Sequence, residues 1–85
     1  MFKVAWKEKA YKQLKKIRDK REQATIYDTV GKLVNWPACR NVKALTNHDC
    51  GYRLRVGRYR VLFDVQATIQ IIEIQEVKKR NEHTY

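Results

Sequence analysis

The run Tyr52-Arg53-Leu54-Arg55-Val56-Gly57-Arg58-Tyr59-Arg60-Val61-Leu62-Phe63-Asp64-Val65 decides how this chain folds. Tyr52, Leu54 and Val56 alternate with Arg53 and Arg55, the period of two that gives a strand one apolar and one polar face. Tyr59, Val61, Phe63 and Val65 resume the alternation after Gly57-Arg58, and a short glycine-bearing break between two such runs predicts a hairpin. Parity sends Leu54, Val56, Val61 and Phe63 to a buried face, with Tyr52 and Tyr59 on the same side. It sends Arg53, Arg55 and Arg60 to the opposite face, with Arg58 near the turn.

On the C-terminal side, Gln66-Ala67 separates the hairpin from a third β-rich run over residues 68–77, which holds Ile69, Ile71, Ile72 and Ile74. Residues 78–85 are a polar, basic tail ending in Tyr85. On the N-terminal side, residues 38–50 keep no steady period and read as a loop pinned by Val42 and Leu45. Before it, Ile26, Val30 and Leu33 recur at helical spacing over residues 21–36, and Pro37 ends that helix because it disfavours helical geometry in the residue preceding it. Ala10, Leu14 and Ile17 do the same over residues 7–20, with lysines between them, so this helix has a basic outer face. Phe2, Val4 and Trp6 alternate with Lys3 and Ala5 as a first strand. The expected fold class is α+β: an N-terminal strand, two helices packed on one face of a mostly antiparallel sheet of about four strands, and a short basic C-terminal tail, all within one domain over residues 1–85.

Nineteen Lys and Arg against nine Asp and Glu give a formal charge of +10. A field of that size on so small a body favours a polyanion, because each cation that meets a phosphate releases condensed counterions. Solubility alone is the competing explanation, although mixed-sign surfaces achieve it with less self-repulsion. A membrane-surface helix does not fit, since the most basic helical stretch carries few large apolar residues. No stretch resembles a signal peptide or reaches transmembrane length, so a cytoplasmic protein with reduced Cys39 and Cys50 is expected. Cys39, His48, Cys50 and His83 lack the close pairing of a zinc site, and Gly31, Gly51 and Gly57 form no phosphate-cradling loop. Neither metal nor cofactor is expected.

Chemistry is carried by the arginines. Arg53, Arg55 and Arg60 on one strand face offer guanidinium forks matched to phosphate oxygens, and a like-charged array of this kind is unfavourable without an anion to meet it. The alternative is a solvated basic face. Tyr52, Tyr59, Arg80 and Tyr85 add rings near cations, the combination that binds single-stranded nucleic acid, although Tyr52 and Tyr59 have core parity.

Residues 51–65, with their aromatic, basic, apolar, basic order, glycine turn and Tyr-Arg-Val continuation, resemble the central hairpin of RelE/ParE superfamily toxins. The tail Val77-Lys78-Lys79-Arg80-Asn81-Glu82-His83-Thr84-Tyr85 is similar to their ending, and Lys43-x-Leu45 to the lead into the hairpin. The likeness spans nearly the whole chain. It points to the RelE-like branch of type II toxin–antitoxin toxins, and so implies a metal-independent endoribonuclease that cuts messenger RNA in the A site of the 30S subunit and inhibits translation. The RNA's own 2′-hydroxyl is then the nucleophile. By the same resemblance Arg53 and Arg55 stand in the catalytic basic pair, Arg60 in the phosphate clamp, Arg80 as the tail arginine acting on the transition state or leaving group, and Tyr85 as the base-stacking tyrosine and general base. Arg58, Lys78 and Lys79 are expected RNA contacts. His83 is an alternative base, because histidine ordinarily titrates near neutrality. Two departures matter: the pair is Arg-Arg where relatives often have Lys, and Tyr85 ends the chain, so a carboxylate adjoins its phenol. A cognate antitoxin, acidic or amphipathic, is the implied protein partner. Two other functions remain open: a ParE-like inhibitor of DNA gyrase, and a non-catalytic basic nucleic-acid-binding module.

Overall fold

Each alternating or helical stretch becomes an element in the computed structural model, which describes residues 1–80. The order is β1 (Lys3–Trp6), α1 (Glu8–Lys15), α2 (Lys20–Gly31), a 3₁₀ turn (Lys32–Asn35), β2 (Val42–Ala44), β3 (Tyr52–Val56), β4 (Tyr59–Gln66) and β5 (Ile71–Lys79). Tyr85 and His83 lie outside the described residues.

The α+β class holds, with corrections of detail. The sheet has five strands among the described residues, not about four, in the order β1-β5-β4-β3-β2. The additional strand is β2, inside the stretch read as loop. Three residues are too few for a period to show, and only its antiparallel register with β3, Val42 opposite Leu54 and Ala44 opposite Tyr52, identifies it as a strand. β1 pairs with β5 in parallel, Lys3 with Ile71 through Trp6 with Ile74, and α1 and α2 carry the chain between them and the antiparallel remainder. The second helix loses its α geometry at Gly31 and finishes as the 3₁₀ turn ahead of Trp36-Pro37.

The two helices are separate because Asp19 starts the second one. Its side chain accepts from the backbone N–H groups of Arg21 and Glu22 at 2.9 and 3.2 Å, which satisfies donors that the first helical turn leaves unpaired. Gln23 Nε2 then donates to the Ile17 carbonyl at 3.1 Å and fixes the bend between helices. Both helices press onto one face of the sheet. Ala10 and Leu14 from α1, Ile17 from the bend after it, Ile26 and Val30 from α2 and Leu33 from the 3₁₀ turn meet Leu54, Val56, Val61, Phe63, Ile72, Ile74 and Val77 in one core. Trp36 closes it, edge-on to Tyr52 at 4.7 Å and to Phe63 at 5.6 Å. Each large side chain so enclosed contributes about 1.5–3 kcal/mol.

One irregularity sets the other face. Along β5 the buried residues run Ile72, Ile74, Val77, a phase jump that no regular strand permits. Leu62 pairs with Glu76 while Phe63 pairs with Ile74, so Gln75 is an inserted residue, a β-bulge. Beyond it the parity of β5 reverses, and Glu76 and Lys78 turn to the face away from the helices. α1 guards the same edge of β5: Gln13 Oε1 accepts from the Val77 N–H at 2.7 Å, and Lys9 pairs with Glu76 at 3.2 Å.

Candidate functional site

The face opposite the helices gathers cations in register across three strands. Arg55 of β3 stands opposite Arg60 of β4, and Arg60 stands opposite Lys78 of β5. Directly paired side chains on one sheet face lie about 4.5–5.5 Å apart at Cβ, where like charges repel. One pair further along, Arg53 stands between Lys43 of β2 and Leu62 of β4. The hairpin turns at Gly57, whose φ of 56° suits glycine, and Arg58. Past β5, the Arg80 N–H donates to the Arg58 carbonyl at 2.6 Å, which ties the start of the tail to this turn.

Arg53, Arg55, Arg60, Lys78 and Arg80 are thus brought to one side and end of the sheet. Arg55, Lys78 and Arg80 are exposed, while Arg53 and Arg60 are half-buried. Arg53 Nε is shielded from solvent and makes no hydrogen bond among the described residues. No carboxylate among those residues pairs with Arg53, Arg55 or Arg80. Lys78 has one weak ion pair, 3.7 Å from Glu76, and Lys79 is exposed on the neighbouring position. Arg58 differs from the others. Its guanidinium donates through Nε and Nη2 to the two oxygens of Glu22 at 2.8 and 3.1 Å. That hydrogen-bonded carboxylate raises the arginine above its ordinary pKa, so the contact reinforces the cationic form. Arg58 therefore clamps the hairpin turn to the start of α2, and its fork is directed away from the arginine row.

The opposite end of this face is acidic and partly apolar. Asp64 accepts the Gly51 N–H at 2.7 Å. The loop before β3 is closed further by Leu45 N–H to the Gly51 carbonyl and by Cys50 N–H to His48 Nδ1. Leu62 and Cys50 are buried on this side without joining the main core. Burial, followed by the nearby Asp64, Glu76 and Asp49 carboxylates, pushes the Cys50 thiol up, and burial does the same to Cys39. Both thiols are free. Neither is a nucleophile of the activated kind, which requires the opposite shift. Among the described residues no cluster of His, Cys, Asp and Glu could hold a metal ion.

Sequence parity alone did not supply two participants. Lys43 joins the face because β2 exists, and the Lys43-x-Leu45 spacing was its only signal. Lys78 faces Arg60 only because of the bulge at Gln75, which no local composition marks.

A small mixed sheet with two helices on one face is a fold shared with solved proteins of RelE-type toxin–antitoxin systems. A chain of the RelBE2 toxin–antitoxin complex from Mycobacterium tuberculosis superposes with a TM-score of 0.78 at 24% identity, over 93% of this chain and 98% of that one. The archaeal RelE–RelB complex from Pyrococcus horikoshii OT3 gives 0.78 at 23% identity, over 95% and 97%. The isolated RelE toxin of E. coli gives 0.76 at 17%, over 96% and 87%. At such identities the likeness is one of fold. No curated protein sequence matches significantly. The family model describing the ParE toxin of type II toxin–antitoxin systems (parDE) matches residues 4–83. The chain belongs to this ParE toxin family, and is a type II toxin–antitoxin toxin with a RelE-like structure. No helix among the described residues is long and apolar enough to cross a membrane.

Proposed function

We propose that the chain is a ribosome-dependent endoribonuclease that cleaves messenger RNA in the A site. The reading is carried by the like-charged row Arg55–Arg60–Lys78, with Arg53 beside it, in register on one open face. Such a row is unfavourable by itself and becomes favourable when a phosphodiester lies along it. The reaction needs no metal. The RNA 2′-hydroxyl loses its proton and attacks the adjacent phosphorus, the bond to the departing 5′-oxygen breaks, and that oxygen takes up a proton. The products are a 2′,3′-cyclic phosphate and a 5′-hydroxyl. Arg53, Arg55 and Arg60 stabilise the extra negative charge of the five-coordinate phosphorus, and holding the chain in line lowers the barrier further. Arg80, at the tail's departure from the sheet, serves the leaving oxygen. Tyr85 or His83 takes the first proton. Arg58, Lys78 and Lys79 contact RNA, Arg58 through those donors that Glu22 leaves available. The expected setting is the cytoplasm, with the ribosome and messenger RNA as partners and an acidic or amphipathic antitoxin as the neutralising one. Solved relatives in complex with RelB support that last assignment.

The test is cleavage of a programmed ribosome by the purified chain. Arg60→Ala and Arg80→Ala should each reduce the single-turnover rate by about 10²-fold or more, as removal of one oxyanion donor does elsewhere. Uncut codons with the parent chain, alongside growth arrest in cells, would reject the reading. The family match favours one other function specifically, ParE-like inhibition of DNA gyrase. Accumulating cleaved DNA with intact messages would establish that function instead.

A further inference from the structure

Behind the sheet, on the side away from Arg53, Arg55 and Arg60, the helices present a surface of different chemistry. Trp6 at the end of β1 stacks on Tyr27 of α2, with centroids 5.8 Å apart and planes 13° apart. It meets Tyr11 of α1 edge-on at 6.4 Å. Tyr11 and Tyr27 are 46% and 54% exposed, and they are the large apolar side chains that the two helices leave in water. Lys15 Nζ lies 5.8 Å from the centre of the Tyr11 ring. Lys15 and Lys20 share with both tyrosines the lining of a groove of about 330 Å³ between the helices. Neither lysine forms an ion pair among the described residues, and Asp28 is the one carboxylate in the lining.

We infer that this groove is a second nucleic-acid contact, taking a single-stranded polynucleotide segment with bases against Tyr11 and Tyr27 and phosphates toward Lys15 and Lys20. Rings interleaved with cations are how single strands are held without sequence preference, because every base has a π face. The charge of the helical surface matches a polyanion. Lys15 and Lys20 outnumber Asp28 in the lining, so the groove's charge complements phosphates. The groove lies across the sheet from the arginine row, so one long RNA, or two parts of a large one, could be gripped at both faces. The inference does not rest on the cleavage reading, since none of its residues belongs to that row.

The experiment uses the full chain carrying Trp36→Phe, which leaves Trp6 as the remaining tryptophan of the two. It is titrated with oligouridine of roughly twelve nucleotides, within the span such grooves occupy. Saturable quenching of Trp6 emission is expected. Tyr11→Ala/Tyr27→Ala should weaken binding by about fivefold or more for each ring lost. Tyr11→Leu/Tyr27→Leu keeps apolar bulk over Trp6 and should weaken it similarly, so that loss of affinity reports stacking and not unfolding. Lys15→Gln/Lys20→Gln should reduce the log–log salt slope by about 1.4, about 0.7 for each phosphate contact. Arg53→Ala/Arg55→Ala should leave the Trp6 quenching in place. Unchanged affinity in both tyrosine pairs would overturn the proposal. So would unquenched Trp6, or an acidic amphipathic peptide that quenches Trp6 and is not displaced by oligouridine.

Discussion

Arg55 faces Arg60 across the hairpin, and Arg60 faces Lys78 across the next strand pair. Folding gains nothing from that arrangement: opposed like charges cost a few tenths of a kcal/mol up to about 1 kcal/mol per pair. Several cations elsewhere on the molecule are matched, as Lys7 is with Glu73, Lys12 with Glu8 and Arg58 with Glu22. The like-charged row is where stability and ligand binding oppose each other. Arg55→Gln separates the two. Arg55 is exposed and has no ion pair among the described residues, so the substitution should leave the fold as stable or raise it by up to about 0.5 kcal/mol. RNA affinity should fall in the same protein. Urea denaturation paired with an RNA titration checks both. A variant that is destabilised by more than about 1 kcal/mol would mean that Arg55 is held by a structural contact and is not waiting for a phosphate.

The hairpin and both helices were legible in the sequence because each keeps one period over most of its length, although the first helix ends at Lys15 and the second at Gly31, short of the expected 20 and 36. Tyr52–Val56 alternates without a break, Tyr59–Val65 alternates except at the apolar Leu62, and Ala10, Leu14, Ile17 and Ile26, Val30, Leu33 hold their stripes. β5 was legible as a strand but not in phase, since the bulge at Gln75 shifts Val77, and with it Lys78, to the other parity. β2 was hidden by its brevity. Within the candidate site, Arg53, Arg55 and Arg60 followed from parity alone, whereas the pairing of Arg58 with Glu22 joins residues 36 apart and leaves no local trace. Elements also depend on single side chains. α2 starts where it does because Asp19 caps it, and this start places Glu22 within reach of Arg58 at the hairpin turn. Asp19→Ala should cost about 1 kcal/mol, and Asp19→Asn, which keeps an accepting oxygen, only a small part of that. Equal losses in the two variants, measured by urea denaturation, would show that charge and not capping is what Asp19 contributes.

At the scale of the whole molecule, a formal charge of +10 is packed into a body with a radius of gyration of 12.2 Å. The screening length is about 30 Å at 0.01 M salt and about 10 Å at 0.1 M, so at low salt nearly every cation feels every other, and at moderate salt only its neighbours. Self-repulsion destabilises the compact state, and screening relieves it. The same screening removes the counterion-release advantage of binding a polyanion. Stability and nucleic-acid affinity should therefore move in opposite directions as salt rises. The melting temperature should increase between about 0.01 M and 0.1 M. The logarithm of RNA affinity should fall against the logarithm of salt with a slope near −3, about −0.7 for each of four contacted phosphates along Arg53, Arg55, Arg60 and Lys78. A polyanion or an acidic protein partner added at low salt should raise the melting temperature as salt does, because it neutralises the same charges while binding the folded state. Scanning calorimetry of the chain alone, in salt and with an acidic partner measures the melting temperatures, and RNA titrations over the same salt range measure the slope. A melting temperature that falls with added salt would mean that the ion pairs of Glu22, Glu73 and Glu76 outweigh the repulsion within the row, and the open cationic face would then not be the feature that governs the molecule.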